Sequence, residues 1–197
     1  MVSDKEGPGL DVRCCREATP YTRAEYLARA LWWGVFPLFR FSPRPFFCWR
    51  RLLLRIFGAT VSPGANIYPS ATIYLPWNLT IGRDACIGEW ALIYNLGPVF
   101  IGDRATVSHR AHLCAGTHDY TTPAFPLRRL PIEVGADAWI CADAFIGPNV
   151  WIGRGAIVAA GAVVVKDVGE WEIVGGNPAR FLKRRRLTDG QDAAEEV

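Results

Sequence analysis

The sequence predicts an all-β chain in which short strands wind into a triangular solenoid. Three observations predict it: an aliphatic residue recurs every six positions between Val61 and Val164, a small residue recurs four positions later, and Gly, Ala and β-branched residues dominate this part of the chain. Neither the helical period of 3.6 nor the alternation of a half-buried strand produces a period of six. The 197 residues are half apolar and 21% charged. That suffices for one sizeable core and excludes a disordered chain.

The period divides into fifteen six-residue units, and three units close one turn, so five coils are expected. In twelve units the residue four positions after the leader is Ala, Gly or Thr, as a tight corner requires. Each leader points inward, where its burial contributes about 2 kcal/mol relative to exposure. Successive coils pair through strand hydrogen bonds about 4.8 Å apart. The leaders are Val61, Ile67, Ile73, Ile81, Ile87, Ile93, Ile101, Val107, Leu113, Val134, Ile140, Ile146, Ile152, Val158 and Val164.

The largest interruption of the period is the segment Asp119–Pro131, which follows the unit Leu113–His118. Its three prolines exclude a helix interior or a central strand. An ordered excursion of this length is more often functional than not, so we expect it to border a site. The alternative is a surface loop without a role.

Ahead of the repeats lies a basic and aromatic segment. Residues 1–20 are expected to be disordered or loosely ordered, and residues 21–60 to form amphipathic helix. Between residues 21 and 57 there are seven arginines and a single acid, Glu25. The longest uncharged stretch, residues 30–39, is too short to span a bilayer, which needs about 20 apolar residues.

An apolar stripe at helical spacing runs through this segment, with Arg51 and Arg55 behind it. The helix then either packs against the open end of the solenoid and shields its last turn, or lies on an anionic membrane surface. Both can hold if one face packs while the Arg and Trp side chains touch lipid. The stripe consists of Phe46, Trp49, Leu53 and Ile56.

Charge and cysteine content bear on compartment and partners. A net charge of +3, from 22 basic and 19 acidic residues, is too small for a protein that mainly grips nucleic acid, so no nucleic-acid partner is expected. The first eleven residues are polar and charged and carry no secretory signal. Six cysteines without C-x-x-C spacing favour reduced thiols in the cytoplasm over a disulfide framework.

All three histidines, His109, His112 and His118, fall within ten residues. His118 stands in the run CAGTHDY, at the root of the Asp119–Pro131 loop, and near neutral pH an imidazole can take a proton from a hydroxyl. His109 and His112 occupy outward or corner positions of their unit. Their spacings of three and six residues place the rings on different faces, so we expect surface histidines and no metal.

Runs such as IGRDACIGEWAL, IGPNVWIGRGAIVAAGAV and GTHDYTTP resemble the hexapeptide-repeat acyltransferases, and the preceding arginine- and aromatic-rich segment resembles their colanic-acid or exopolysaccharide type. The resemblance implies a left-handed parallel β-helix of about five coils and a homotrimer with sites between neighbouring coils. It implies that His118 is the general base and that acetyl-CoA is the co-substrate.

The resemblance also implies where the donor binds. The runs GADAWICADAFIGP and VAAGAVVVKDV match the acetyl-CoA half of these enzymes, where small residues let backbone groups approach the pantetheine arm. A cation in GGNPARFLKRRR can meet CoA phosphates, whereas Lys183–Arg186 form a solvated basic face. Val165 departs from the family, which commonly carries threonine there. The implied acetyl-CoA residues are Trp139, Ala142, Ala160, Lys166 and Arg180.

Asn95, in LIYNLGPVFIG, matches a position where related sugar O-acetyltransferases carry Asp or Asn for acceptor hydroxyls. An amide both donates and accepts, which suits a diol. The alternative is an asparagine placed for turn geometry. Residues 61–178 are expected to be the transferase domain, and residues 179–197 a C-terminal helix with an acidic tail.

Together these features predict an O-acetyltransferase that moves acetyl from acetyl-CoA to a sugar hydroxyl of a colanic-acid-like exopolysaccharide precursor, free or lipid-linked. It would act in the cytoplasm, with peripheral contact at the inner membrane face. Two alternatives from other classes are a zinc-dependent, carbonic-anhydrase-like hexapeptide protein and a non-catalytic scaffold of polysaccharide assembly.

Overall fold

The computed structural model describes residues 21–187 and, ahead of them, Gly9, Asp11 and Arg13. Within residues 21–187, two helices come first, α1 (Arg23–Arg40) and α2 (Phe47–Ile56). A capping box starts α1: Thr22 Oγ1 accepts a hydrogen bond from Glu25 N, and the Glu25 carboxylate accepts one from Thr22 N. The predictions for residues 1–20 and for the acidic tail lie almost entirely outside the described residues.

Most strands pair in parallel in three sheets, which are the faces of a triangular prism wound as a left-handed β-helix. A short 3-10 helix, Pro76–Asn78, occupies one corner. Face A contains β1 (Thr60–Val61), β4 (Leu79–Ile81), β7 (Val99–Ile101), β12 (Ile132–Val134) and β15 (Val150–Ile152). Face B contains β2 (Asn66–Ile67), β5 (Cys86–Ile87), β8 (Thr106–Val107), β13 (Trp139–Ile140), β16 (Ile157–Val158), β18 (Glu172–Gly175) and β19 (Arg180–Arg184). Face C contains β3 (Thr72–Ile73), β6 (Leu92–Tyr94), β9 (His112–Cys114), β14 (Phe145–Ile146) and β17 (Val163–Val164).

Each strand pairs in register with its counterpart in the next coil. On face A, for example, Ile81 pairs with Val61 below it and with Ile101 above it. All fifteen predicted leaders are buried, and together they form the core of the prism. Five complete coils are present, as predicted, and β18 with a bridge from Ile152 to Val168 begins a sixth.

Corners between faces A and B bring backbones of successive coils very close together. A Cβ atom on Gly82 would lie 2.6 Å from the carbonyl carbon of Gly102, and one on Gly102 would lie 2.6 Å from the nitrogen of Ala136. Glycine directly after the leader is therefore required by the close approach of the next coil. This explains why the sequence repeats glycine at this position.

The predicted C-terminal helix is wrong. Residues Arg180–Arg184 form β19, which pairs antiparallel with β18 so that Phe181 lies opposite Val174. The last parallel strand would otherwise expose a row of unpaired backbone groups, and β19 satisfies that edge. The charged RFLKR run is exposed along its whole length, which suits an edge strand facing water.

At the opposite end, α2 closes the first coil through arginine side chains. Arg50 Nε donates to Ile67 O at 2.5 Å, and Arg51 Nη1 donates to Ala65 O at 2.8 Å. These carbonyls belong to the first coil, which has no earlier coil to pair with, so the guanidinium groups satisfy them. The N-terminal segment therefore caps the β-helix, the first of the two roles open from sequence.

The apolar stripe predicted for α2 is only partly correct. Its buried side consists of Arg50, Leu53 and Leu54. Of the predicted stripe, Leu53 alone is buried, while Phe46 and Ile56 are 52% and 66% exposed. The open first coil presents carbonyl oxygens, and these select arginine donors rather than apolar side chains on the facing side of the helix.

Candidate active site

An antiparallel hairpin leaves the β-helix at the corner between faces C and A. Its strands are β10 (Gly116–His118) and β11 (Leu127–Arg129), with His118 paired to Leu127 at the distal end. The predicted irregular loop Asp119–Pro131 therefore contains a short strand and a turn. Because the hairpin projects from the prism, His118 is half-buried beside the β-helix rather than inside its core.

The His118 ring contacts a residue of the hairpin turn, Phe125, in two ways. His118 Nδ1 lies 2.8 Å from Phe125 O, and the two rings stack with centroids 4.5 Å apart and planes inclined by 6°. A carbonyl oxygen can only accept a hydrogen bond, so the proton of the neutral imidazole is on Nδ1. The lone pair is then on Nε2, the arrangement that a general base requires.

Asp119, next to His118 in sequence, orders the hairpin turn. Its Oδ1 accepts hydrogen bonds from Thr121 N at 3.0 Å and from Thr121 Oγ1 at 2.5 Å. These bonds, followed by the nearby Arg128, lower the pKa of the Asp119 carboxyl. The backbone N–H of Asp119 donates to Pro126 O at 2.9 Å and closes the turn. Asp119 thus shapes the loop, and the Phe125 carbonyl orients the imidazole.

The base of the hairpin is tied to α1. Arg129 Nη1 lies 2.9 Å from Glu25 Oε1, and the Arg129 guanidinium stacks over the Tyr21 ring at 4.3 Å. Hydrogen bonding from the Thr22 backbone, together with the bond to Arg129, lowers the pKa of the Glu25 carboxyl. The N-terminal segment therefore contacts the hairpin that carries His118 as well as the end of the prism.

Asn95 lies at the same corner, one coil below the hairpin. Its side chain is fully buried, with Oδ1 accepting from Leu75 N at 3.0 Å and Nδ2 donating to Leu75 O at 2.6 Å. Both polar groups are satisfied by the backbone of the adjacent coil, so the amide has no exposed surface to offer an acceptor sugar. The predicted acceptor contact is corrected: Asn95 fastens two corner turns, the alternative left open from sequence.

Lys166 and Arg180 line one cleft of about 430 Å³ at the C-terminal end of the β-helix. Both side chains are exposed, and the same cleft includes Val165 and Glu172. Lys166 follows β17 at the corner between faces C and A, the corner at which His118 leaves the prism. Because β9, β14 and β17 are successive strands of face C, the two positions are separated by two coil rises, about 10 Å.

The other implied donor residues lie on a different part of the prism. Ala142 and Ala160 stack at the corner between faces B and C, where Gly161 N donates to Ala142 O at 2.9 Å. Trp139 lies on face B, 45% exposed, and its Nε1 donates to Ser108 Oγ at 2.8 Å. Within one chain, these residues and His118 are therefore separated by the width of face C.

The remaining histidines do not assemble with His118. In residues 21–187, no three His, Cys, Asp or Glu side chains lie close enough together to hold a metal ion. His112 stands on face C with its ring edge-on to Phe145, and burial lowers its pKa. Its Nε2 is buried, without a hydrogen-bond partner among the described residues. Its partner on the other side in face C, Leu92, is apolar.

Comparison with known proteins identifies the family. The bacterial transferase hexapeptide (six repeats) model matches residues 131–166. WcaF of Escherichia coli K12, described as a colanic acid biosynthesis acetyltransferase, is 37% identical over 160 residues, which cover 81% of this chain and 88% of WcaF. The chain belongs to the hexapeptide-repeat acetyltransferases.

Solved structures show that this hexapeptide-repeat acetyltransferase shares its fold with other members. A hexapeptide-repeat acetyltransferase from Vibrio cholerae superposes with a TM-score of 0.75 at 25% identity, covering 83% of this chain and 93% of that one. Galactoside acetyltransferase in complex with coenzyme A gives a TM-score of 0.77 at 23% identity, covering 88% and 90% of the two chains. In the described part of this acetyltransferase, no helix is long and apolar enough to cross a membrane.

Sequence reasoning does not find Phe125 or the pair formed by Arg129 and Glu25. Phe125 O lies next to His118 Nδ1, and Phe125 has a positive φ of 46°. This conformation is commonest in Gly, Asn and Asp, so a phenylalanine gives no sign of it in the sequence. Arg129 and Glu25 are 104 residues apart, and no spacing rule connects them.

Proposed function

We propose that this chain is an O-acetyltransferase that moves acetyl from acetyl-CoA to a sugar hydroxyl of an exopolysaccharide precursor, with His118 as general base. The observation that carries the proposal is the hydrogen bond between His118 Nδ1 and Phe125 O. It holds one tautomer and one ring orientation, which leaves Nε2 as the proton acceptor.

The reaction follows from that tautomer. His118 Nε2 takes the proton of the sugar hydroxyl as the oxygen attacks the thioester carbonyl carbon. The tetrahedral intermediate collapses, the C–S bond breaks, and the imidazolium returns the proton to the leaving thiolate. Phe125 O accepts from Nδ1–H throughout, so it also stabilises the imidazolium. A base of this kind contributes about 10²- to 10⁴-fold to the rate.

Lys166 and Arg180 support a donor that approaches from the C-terminal end of the prism. Two exposed cations in one cleft suit the phosphates of CoA, which they would bind through charge-assisted hydrogen bonds. The pantetheine arm would then run along the corner toward His118, over the two coil rises between them. Ala142, Ala160 and Trp139 would contact the same donor from a neighbouring copy.

A homotrimer would complete this site. The outward residues of face C include Leu92, Phe145 and Val163, which favours packing of this face against other copies. Neighbouring copies packed through face C bring the corner with Ala142 and Ala160 of one chain toward the corner with His118 of the next. The implied donor residues, which one chain keeps apart, would meet in this arrangement.

The acceptor we propose is a lipid-linked precursor at the inner membrane face. WcaF is named for colanic acid biosynthesis, and the helical segment of this chain exposes apolar and basic side chains together. That surface and the chemistry of a precursor attached to lipid support the proposed peripheral location.

The test is thiol release from acetyl-CoA over a panel of sugars and lipid-linked sugars, with mass spectrometry of the product. Wild-type protein should release thiol and acetylate at least one acceptor, and His118→Ala should lose at least a hundredfold in turnover. A scaffold without catalytic activity predicts no turnover in either protein. Equal turnover in both would refute the role of His118.

A further inference from the structure

An exposed apolar surface covers the side of α1 and α2 that faces away from the prism. On α2, Arg50 and Leu54 are buried against the first coil, while Leu52 and Ile56 on the opposite side are 48% and 66% exposed. The exposed side therefore points out of the N-terminal end of the prism. This surface, here called the end surface, consists of Leu38, Phe41, Phe46, Trp49, Leu52 and Ile56.

Each helix thus has two apolar sides, which a helix packed on one core does not need. On α1, Trp32 and Phe39 are buried toward the β-helix, while Leu31 and Leu38, each about 100° away around the helix, are 55% and 58% exposed. Phe41, in the connection between the helices, is 84% exposed. Contiguous exposed apolar residues of this kind mark an interaction site.

The end surface contains an apolar groove of about 450 Å³ between the two helices. Trp49 Nε1 donates to Leu38 O at 3.1 Å, so the indole has its polar atom satisfied and presents its ring to the groove. The lining is almost free of polar side chains, Ser42 being the exception. The groove residues are Pro37, Leu38, Phe41, Ser42, Pro43, Phe46 and Trp49.

Charge identifies the partner. The segment from residue 21 to 57 carries seven arginines and one acid, and Arg23, Arg44 and Arg55 are exposed. Apolar side chains with tryptophan and surrounding arginines are the composition that binds the interface of an anionic bilayer. Arg50, Arg51 and Arg55 donate to neutral carbonyl oxygens, so the positive charge of these side chains stays uncompensated near the end surface.

We propose that the chain docks end-on to an anionic bilayer through the end surface, with the prism axis standing away from the membrane. Insertion of apolar side chains into the interface supplies the affinity, and the arginines supply attraction to lipid head groups. In a trimer with parallel axes, three end surfaces lie at the same end and bind together, which raises avidity.

This orientation sets the height of the candidate active site above the membrane interface. Resting on the proposed function, the same height sets which sugar of the acceptor is acetylated. The hairpin with His118 leaves the third coil, about 10 Å above the first. The helix layer adds about 10 Å, of which insertion removes about 5 to 10 Å. His118 then stands on the order of 10 to 15 Å above the interface. The acceptor is therefore a lipid-linked oligosaccharide, acetylated on a sugar several units away from the lipid.

Docking is tested by sedimentation with vesicles of phosphatidylcholine and phosphatidylglycerol in equal parts, compared with phosphatidylcholine alone. Wild-type protein should bind the anionic vesicles. A variant with Leu38→Gln, Phe41→Ser and Ile56→Gln should lose on the order of tenfold or more in partitioning. The matched control, Phe100→Ser with Trp151→Ser, removes two exposed aromatic side chains from face A and should bind like wild type.

Equal vesicle binding by the triple variant and the wild type would overturn the docking surface. Loss of vesicle binding in both the triple variant and the control would also overturn the docking surface, because general hydrophobicity of the protein would then explain the binding. Light scattering distinguishes a second copy of this chain from a bilayer as the partner of the end surface. The proposal is refuted if the wild type associates end to end, the triple variant does not, and the wild type fails to bind vesicles.

The position of the sugar is tested with vesicle-borne acceptors that carry one sugar or a longer oligosaccharide. Wild-type protein should acetylate the longer chain at least tenfold faster, on a sugar away from the lipid. Preference for the single sugar would overturn the end-on orientation. With free oligosaccharide, the wild type and the triple variant should turn over at the same rate. If neither protein acetylates the free oligosaccharide, the proposed function is refuted rather than the orientation.

Discussion

The imidazole of His118 is held by the backbone of Phe125, with Nδ1 2.8 Å from its carbonyl oxygen and the two rings stacked. This contact joins the two sides of the hairpin turn across seven residues. In many catalytic sites a carboxylate orients the histidine, and here a carbonyl does so. The carbonyl oxygen can only accept a hydrogen bond, so it fixes the tautomer of the ring.

Loss of His118, the proposed base, should affect turnover and leave donor binding intact. We expect His118→Ala to lower kcat by about 10²- to 10⁴-fold with little change in KM for acetyl-CoA, because the imidazole acts on the acceptor proton. Steady-state kinetics with varied acetyl-CoA measures both constants. His109→Gln, which replaces an exposed histidine, is the matched control and should keep wild-type values. A rise in KM without a fall in kcat would contradict the base.

Phe125 should tolerate glycine and reject proline. Its φ of 46° is readily adopted by glycine, so Phe125→Gly keeps the carbonyl in place and loses the ring contact. We expect a loss of less than about tenfold in kcat. Proline fixes φ near −65° and removes the N–H that donates to Thr122 O, so Phe125→Pro should lose about a hundredfold or more. Circular dichroism confirms that both variants fold, and equal losses would show that the carbonyl position is unimportant.

Burial of His112 should make stability depend on pH. Burial lowers the pKa of His112 below its ordinary value of 6.5. The unfolded chain therefore takes up this proton at higher pH than the folded chain, and stability falls as the pH drops from about 6.5 toward the folded pKa. His112→Leu removes this group and should flatten the unfolding free energy over that window. Urea titrations at several pH values measure it, and an unchanged slope would contradict the assignment.

Arg50 should be the most costly arginine of the segment to replace. Its guanidinium is fully buried and donates to Ile67 O, Ser42 Oγ and Pro43 O. We expect Arg50→Met to lower the free energy of unfolding by about 3 kcal/mol, since several buried acceptors lose their donor. Urea unfolding measures it, with exposed Arg44→Met as a control that should leave the free energy of unfolding nearly unchanged.

The core of the β-helix could be predicted from sequence because one requirement, burial of a leader such as Ile87 every six residues, determines each strand. Residues Arg180–Arg184 were mistaken for a helix because the need for them arises from the free edge of β18, which the local sequence does not show. Asn95 was mistaken for an acceptor contact because its partner, Leu75, belongs to the preceding coil.

The candidate site was predictable where it depends on local sequence and not where it depends on contacts through space. His118 stands out because it borders the interruption of the period. Phe125 and Arg129 lie within that interruption, where no period constrains the backbone, so their contacts with His118 and Glu25 follow only from the folded hairpin. The division between Lys166 at one corner and Ala142 at another likewise follows from coil geometry.

Removal of the cations at the C-terminal cleft should weaken donor binding without slowing the chemical step. Lys166 and Arg180 line one cleft, and both are exposed. We expect Lys166→Ala and Arg180→Ala each to raise KM for acetyl-CoA by about three- to thirtyfold, with kcat within about twofold, because a phosphate contact is made equally in the ground and transition states. Lys183→Ala, in the exposed strand β19, is the matched control. The increase should shrink at high salt, since screening already weakens these contacts in the wild type. A fall in kcat with unchanged KM would show that these residues act on the reacting atoms instead.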